Sequence, residues 1–306
     1  MTVETAPTSM TGATARRYGG HSLTASLRTV LVRKPARPAT EDDWRAFGFL
    51  HPVDHERTER EHAAFRSILA REGIEVIEAG PDEDGQLDAI FTYDPSLMTD
   101  GGAIILRMGK EARRDEPALH AATYRDLGIP ILGAIEVPGT VEGGDTLWLD
   151  ERTLAVGRGY RTNEAGIQQL RSIMAPLGVD VLAFDLPHWH GPGECLHLMS
   201  LISPLADRLA VIYPPLMAVA FVQELHDRGW RLVEVPDEEF ATMGCNVLTL
   251  APGRCLMLDG NPGTRQRLEA AGCQVLTYVG AEISLNRAGG PTCLTRPVWR
   301  DTQRSG

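Results

Sequence analysis

Cys293 follows a Gly-Gly-Pro turn in RAGGPTCLTRPV, residues 288–299, where a sharp bend presents a side chain to its surroundings. A presented thiol can act as a nucleophile when a proton carrier and a carboxylate stand beside it. A lone free cysteine is more often a small buried hydrophobe, so the reading depends on partners elsewhere in the chain. The candidates are His197 in GECLHLMS, Glu142 and Asp145 in VEGGD, and Asp88 and Asp94 in LDAIFTYDP. Each also has a plain role open to it. His197 sits in an apolar LHL context that suits a hydrogen-bonded core histidine, the VEGGD acids could set a turn, and the two aspartates could be solvated loop carboxylates. Together, a thiol, an imidazole and several carboxylates are the groups that cysteine-based covalent catalysis requires.

An internal repeat supplies the elements that would bring them together. An apolar helix, a glycine and a short β-like run recur five times, with the glycines at Gly73, Gly128, Gly178, Gly229 and Gly272, about fifty residues apart. Each glycine stands where a helix C-cap needs a left-handed residue, and each Val/Ile/Leu run after it starts a strand. Another apolar run precedes each helix (TVLVRKP, GAIILRMG, TLAVGRGY, LAVIYPP, CLMLDG), so every copy holds at least two strands and one helix. The fold class is mixed α/β. Five units form either an open solenoid or a closed ring, and the absence of polar capping repeats favours closure. After the glycine-led strand, copies one, two, three and five run into loops bearing Asp88 and Asp94, Glu142 and Asp145, His197, and Cys293. The fourth loop, EEFATMGCN, offers Cys245 and Asn246 but no evident acid or base. In a ring, equivalent loops converge on one end of the axis.

Composition excludes several classes. The chain has 306 residues, 30 Lys+Arg against 41 Asp+Glu, and a formal net charge of −11, a field that repels phosphate backbones and anionic membranes. Neither nucleic acid nor membrane is an expected partner, and no apolar run is long enough to span a bilayer. Five cysteines without a CxxC spacing suggest reduced thiols in a cytoplasm, with no cofactor or metal needed. Residues 1–26, rich in Thr, Ala, Ser and Gly, read as a flexible tail, leaving 27–306 as a single catalytic domain. Two other classes stay open. HWHGPGECLH offers His188, His190, Cys195 and His197 as a zinc set, and a catalytically silent binding module is a third reading, against which the intact Cys, His and Glu set argues.

The motifs FTYDP, GKEARRDE, VEGGD, GRGYRTN, LHLMS and GGPTCLTRP, in this order across roughly residues 28–300, resemble those of the pentein superfamily of guanidine-modifying enzymes. That superfamily includes dimethylarginine dimethylaminohydrolases, arginine deiminases and amidinotransferases. The resemblance implies a five-bladed α/β propeller of ββαβ units with pseudo-five-fold symmetry and an arginine-like small-molecule substrate, with a homodimer left open. It implies that Cys293 attacks the guanidinium carbon and that His197 protonates the leaving amine and then activates water. Asp94 and Glu142 would bind the guanidinium nitrogens, Arg113 and Arg161 the substrate carboxylate, and Asp88 would lie near the α-amino group. Carboxylates of this kind are needed to fix a planar, weakly electrophilic cation over sulfur. The chain has no room for the helical insertion of deiminases and reads HLMS where they carry HLD. Both features favour N-ω-methylated arginine over arginine, with space expected beside Met199 and Ser200 for a bulkier leaving group. Tyr93, where the dimethylarginine branch commonly has an acid, and the deiminase-like ending GGPTCLTRP point the other way, and an amidinotransferase stays open as well. FGFLHP, residues 47–52, is either a lid or a partly buried loop.

Overall fold

The computed structural model describes residues 18–80 and 83–302. After the first strand, β1 (Ser26–Arg33), come helices α1 (Asp43–Phe47) and α2 (His55–Arg71), then β2 (Glu75–Ala79). Three similar units follow: β3 (Ser96–Thr99), β4 (Gly102–Ile105), α3 (Glu116–Asp126), β5 (Ile131–Ala134); β6 (Thr146–Asp150), β7 (Thr153–Arg158), α4 (Glu164–Met174), β8 (Asp180–Asp185); and β9 (Ile202–Ala206), β10 (Leu209–Ile212), α5 (Val219–Asp227), β11 (Arg231–Glu234). A short α6 (Asp237–Phe240) leads into β12 (Val247–Ala251), β13 (Arg254–Leu258), α7 (Pro262–Ala270) and β14 (Gln274–Tyr278), and β15 (Arg296–Asp301) closes the order.

These strands make five three-stranded sheets. In each, the middle strand pairs antiparallel with one neighbour and parallel with the strand after the helix, as β7 does with β6 and β8. The first sheet takes its antiparallel strand from the far end of the chain, because β15 pairs with β1. The repeat read from the sequence is therefore the repeat of the structure.

The middle strands read as continuous apolar runs because both their faces are buried, and alternate residues point to opposite faces. In β7, Leu154 and Val156 enter a core shared with Leu97 and Ile104 of the preceding sheet, while Ala155 faces Ile202 and Ala210 of the next. In β10, Leu209 and Val211 pack with Val247 and Met257, and Ala210 and Ile212 turn back towards Leu147. In β13, Leu256 and Leu258 join Val30 and Val32 of β1, and Leu31 joins Met98 and Ile105. Five apolar clusters thus link each sheet to the next and the fifth to the first.

The five repeat glycines lie in the left-handed region, with φ between 67° and 96°. At Gly73, Gly128, Gly178 and Gly272 a Cβ would meet nothing within 4 Å, so backbone conformation alone selects glycine there. The folded part begins earlier than residue 27. Gly19 donates to Val298 O at 2.8 Å, and the buried His21 stacks on Trp148 with ring centroids 4.2 Å apart. Of the expected flexible tail, residues 1–17 lie outside the described residues.

Candidate active site

The loop from β14 to β15 carries Cys293. A short helical turn, Leu285–Arg287, ends at Ala288 in the left-handed region (φ 57°), and the chain then runs through Gly289 and Gly290. A Cβ on Gly290 would lie 2.6 Å from Asn246 Cβ, so only glycine lets this loop approach the one before β12. The approach is used twice: Thr292 N donates to Asn246 Oδ1 at 3.1 Å, and Asn246 Nδ2 donates to Cys293 Sγ at 3.2 Å. Burial and the nearby Asp94 push the thiol up to about 11, opposed by the Asn246 hydrogen bond.

His197 begins the turn before β9. Its amide donates to Ser200 Oγ at 3.1 Å, and Leu198 N donates to Asp145 Oδ1 at 3.0 Å, which fixes the backbone. The imidazole Nε2 lies 2.7 Å from Glu142 Oε2, and Nδ1 lies 3.6 Å from Cys195 Sγ and 3.9 Å from Asp94 Oδ1. Burial alone would lower its basicity, but Cys195, Asp94 and Asp145 together hold the imidazolium well above the usual histidine range. The ring rests against Gly144, where a Cβ would sit 2.7 Å from His197 Cγ.

Two buried carboxylates stand behind the imidazole. Glu142 Oε1 accepts from Gly109 N at 2.9 Å and Lys110 N at 3.0 Å, while Oε2 takes His197 and, at 3.2 Å, Arg161 Nη1. Burial would raise its pKa, but His197 and Arg161 outweigh burial and hold it well below the carboxylate range. Asp94 Oδ1 accepts from Gly144 N at 2.9 Å, and Oδ2 pairs with Arg113 Nη1 at 2.7 Å.

Cys293 and His197 open onto one cavity of about 200 Å³. Cys195, Ser200, Asn246 and Arg287 share its polar wall, and Trp189, Leu196, Phe240 and Met243 form an apolar one. This arrangement offers a thiol and a charged imidazole to a cationic electrophile, with two anchored carboxylates behind the imidazole and off the cavity wall.

The remaining expected residues are placed differently. Asp88 is buried with both oxygens in ion pairs, Oδ2 to Lys110 Nζ at 2.6 Å and Oδ1 to Arg287 Nε at 3.1 Å. Arg113 is buried and committed to Asp94, to Phe91 O and, through Nε and Nη2, to Glu116. Arg161 pairs with Glu142 and lines an adjoining cleft. Met199 packs inward in the cluster holding Tyr93 and Leu147, so the expected space beside it is filled, and of that pair only Ser200 reaches the cavity. The zinc set is not assembled: His188 hydrogen-bonds Tyr160 and His190 packs on Trp189. Among the described residues the group close enough to share an ion is Asp94, Glu142 and His197. Residues 47–52 form an exposed or half-buried surface segment pinned by Asn286, whose Oδ1 accepts from Leu50 N and His51 N, each at 3.0 Å. Asn246, Cys195, Lys110 and Arg287 were not singled out as parts of a guanidine site. The one available signal was Asn246 in the fourth of the equivalent loops.

The N,N dimethylarginine dimethylhydrolase family (eukaryotic) matches residues 45–300. The chain belongs to this family. It is 32% identical over 269 residues to an N(G),N(G)-dimethylarginine dimethylaminohydrolase of Streptomyces coelicolor, covering 88% of this chain and 96% of that one. An arginine deiminase of Listeria welshimeri is 27% identical over 253 residues, and the match covers 69% of this chain but 61% of the deiminase. Among solved structures, the dimethylarginine dimethylaminohydrolase of Pseudomonas aeruginosa, as a cysteine-to-serine mutant complexed with citrulline, superposes with a TM-score of 0.72 at 24% identity. That superposition covers 88% of this chain and 98% of the other. Like its family, the protein is an amidinohydrolase acting on the guanidino group of arginine derivatives. No helix among the described residues is long and apolar enough to cross a membrane.

Proposed function

We propose that the protein hydrolyses an N-ω-methylated arginine to citrulline and methylamine or dimethylamine through a covalent adduct on Cys293, on a fold closed as a five-bladed propeller. The linked apolar clusters support the closed ring. The observation that carries the chemistry is the convergence of Cys293 and His197 on one cavity, with Glu142 and Asp94 anchored behind the imidazole.

The thiol at about 11 is largely protonated near neutral pH, so it needs the positive charge of the substrate beside it to ionise. The charge of Glu142 and Asp94 behind the imidazole favours a guanidinium in the cavity; the thiol proton passes to solvent, the Cys293 thiolate forms a C–S bond to the central carbon, and the imidazolium of His197 gives its proton to the departing amine as the C–N bond breaks. The neutral imidazole, held by Glu142, then takes a proton from water. That water attacks the thiouronium carbon, the remaining hydroxyl proton of the adduct passes to solvent, and the C–S bond breaks to leave the ureido product and the thiolate. Arg113 keeps Asp94 in place. To read the amino-acid end of a substrate, Arg113, Arg161 and Asp88 would have to exchange the protein partners they hold here.

The choice of leaving group is supported by the family match over residues 45–300 and by the 32% identity to a dimethylarginine dimethylaminohydrolase. The test is kcat/KM for asymmetric dimethylarginine, monomethylarginine and arginine, with amine and citrulline quantified. Dimethylamine and citrulline in equal amounts, with arginine the poorer substrate, supports the proposal. Preference for arginine with ammonia release assigns the deiminase reading, and dependence on an added amine acceptor assigns a transferase.

A further inference from the structure

Among the described residues, Arg287 is the one lysine or arginine on the wall of the cavity that holds Cys293 and His197. Its Nε and Nη2 donate to Asp88 at 3.1 and 3.3 Å, and its guanidinium carbon lies 6.0 Å from the Phe49 ring centroid. These contacts fix one edge of the fork, and the Nη1 edge donates to no described residue. The side chain is 15% exposed. Behind it, Lys110 donates to the same Asp88 at 2.6 Å and also to Phe47 O at 2.9 Å. One carboxylate therefore faces two cations, and the cluster presents a surplus positive charge through the member that reaches the cavity. The carboxylate on the wall, Glu194, places the opposite sign elsewhere on the same surface.

We infer that Arg287 is a specificity-determining residue that reads the carboxylate of the substrate, with Asp88 as the brace that aims it. The inference rests on the guanidine-hydrolase reading and adds to it the residue that recognises the far end. A fork held along one edge has lost the rotamer freedom that binding would otherwise cost, so its free edge suits a carboxylate. It also gives Asp88 a different duty from contact with the α-amino group, because a carboxylate shared by two cations is a poor site for a third.

The test measures equilibrium binding by calorimetry in a Cys293→Ser background, so that no turnover is needed. Asymmetric dimethylarginine is compared with its carboxamide, which differs only in lacking the carboxylate charge. Before Arg287 is changed, the acid should bind at least about tenfold more tightly than the amide. With Arg287→Met added, the acid should weaken by about that factor while the amide changes little, and Arg287→Lys should fall between because it keeps charge and loses the fork. Steady-state kinetics of the Arg287 variants with Cys293 intact should show the same split in KM. Equal weakening of acid and amide, an unchanged acid-to-amide ratio, or no binding of either ligand before Arg287 is changed overturns the assignment. Should Arg287→Met not fold, the Lys variant alone decides by the same ratio. A preserved acid preference that depends on Arg287, in a protein that turns over no guanidine, would sink the hydrolase reading and leave this one standing.

Discussion

Replacing Asn246 by alanine tests how the nucleophile is tuned. Asn246 Nδ2 is 3.2 Å from Cys293 Sγ, and its hydrogen bond lowers a thiol pKa that burial and Asp94 raise to about 11. A hydrogen bond to an ionised acceptor is worth about 1.5–3 kcal/mol, and at 1.36 kcal/mol per unit its loss lifts the pKa by ~1–2 units. At any pH below the pKa, the thiolate population falls by the same ~10- to 100-fold. Asn246→Asp is the informative companion. It keeps an oxygen to accept from Thr292 N, which holds the loop, and replaces the donor by a negative charge. The assay is the rate of iodoacetamide alkylation at fixed pH values from 7 to 10, read at Cys293 by peptide mass spectrometry so that the other thiols do not contribute. The rate at each pH should fall in the order wild type, alanine, aspartate. An alanine variant alkylated as fast as or faster than the wild type would refute the assignment of Asn246 as the donor that stabilises the thiolate.

Gly144→Ala places a methyl group against the His197 ring, and a displacement of that size should cost on the order of 100-fold in kcat with the fold retained by circular dichroism. Cys195→Ala removes the first of the contacts that raise the His197 pKa, so neutral-pH activity should fall modestly and the alkaline limb of kcat/KM should move to lower pH. For the wild type the imidazolium survives through neutral pH while the thiol ionises only near 11. The kcat/KM profile should therefore rise from pH 6 to 9 with no loss near the ordinary histidine value, and a bell centred below pH 7 would contradict this protonation assignment.

The repeat was legible because its cause is local. Runs such as TLAV and LAVI are apolar throughout because β7 and β10 send alternate side chains into two different cores, and each helix ends at a glycine whose φ admits little else. Cys293, His197 and Glu142 were legible as reactive types at equivalent loop positions. Asn246 carries no charge, and its task exists only because Gly290 lets two loops meet. Arg287 and Lys110 declare themselves only through Asp88, which the sequence presents as an isolated acid. Met199 misled for a related reason: its place in LHLMS does not say that it points into the core and leaves Ser200 to face the cavity.

The proposed mechanism requires Cys293 to become covalently bonded to the guanidinium carbon. Acid quenching during turnover of asymmetric dimethylarginine, followed by intact-protein and peptide mass spectrometry, tests it directly. An increment equal to substrate minus dimethylamine is expected on the peptide that contains Cys293, absent from Cys293→Ser. The same increment on Cys195, or full turnover by Cys293→Ser, would contradict it.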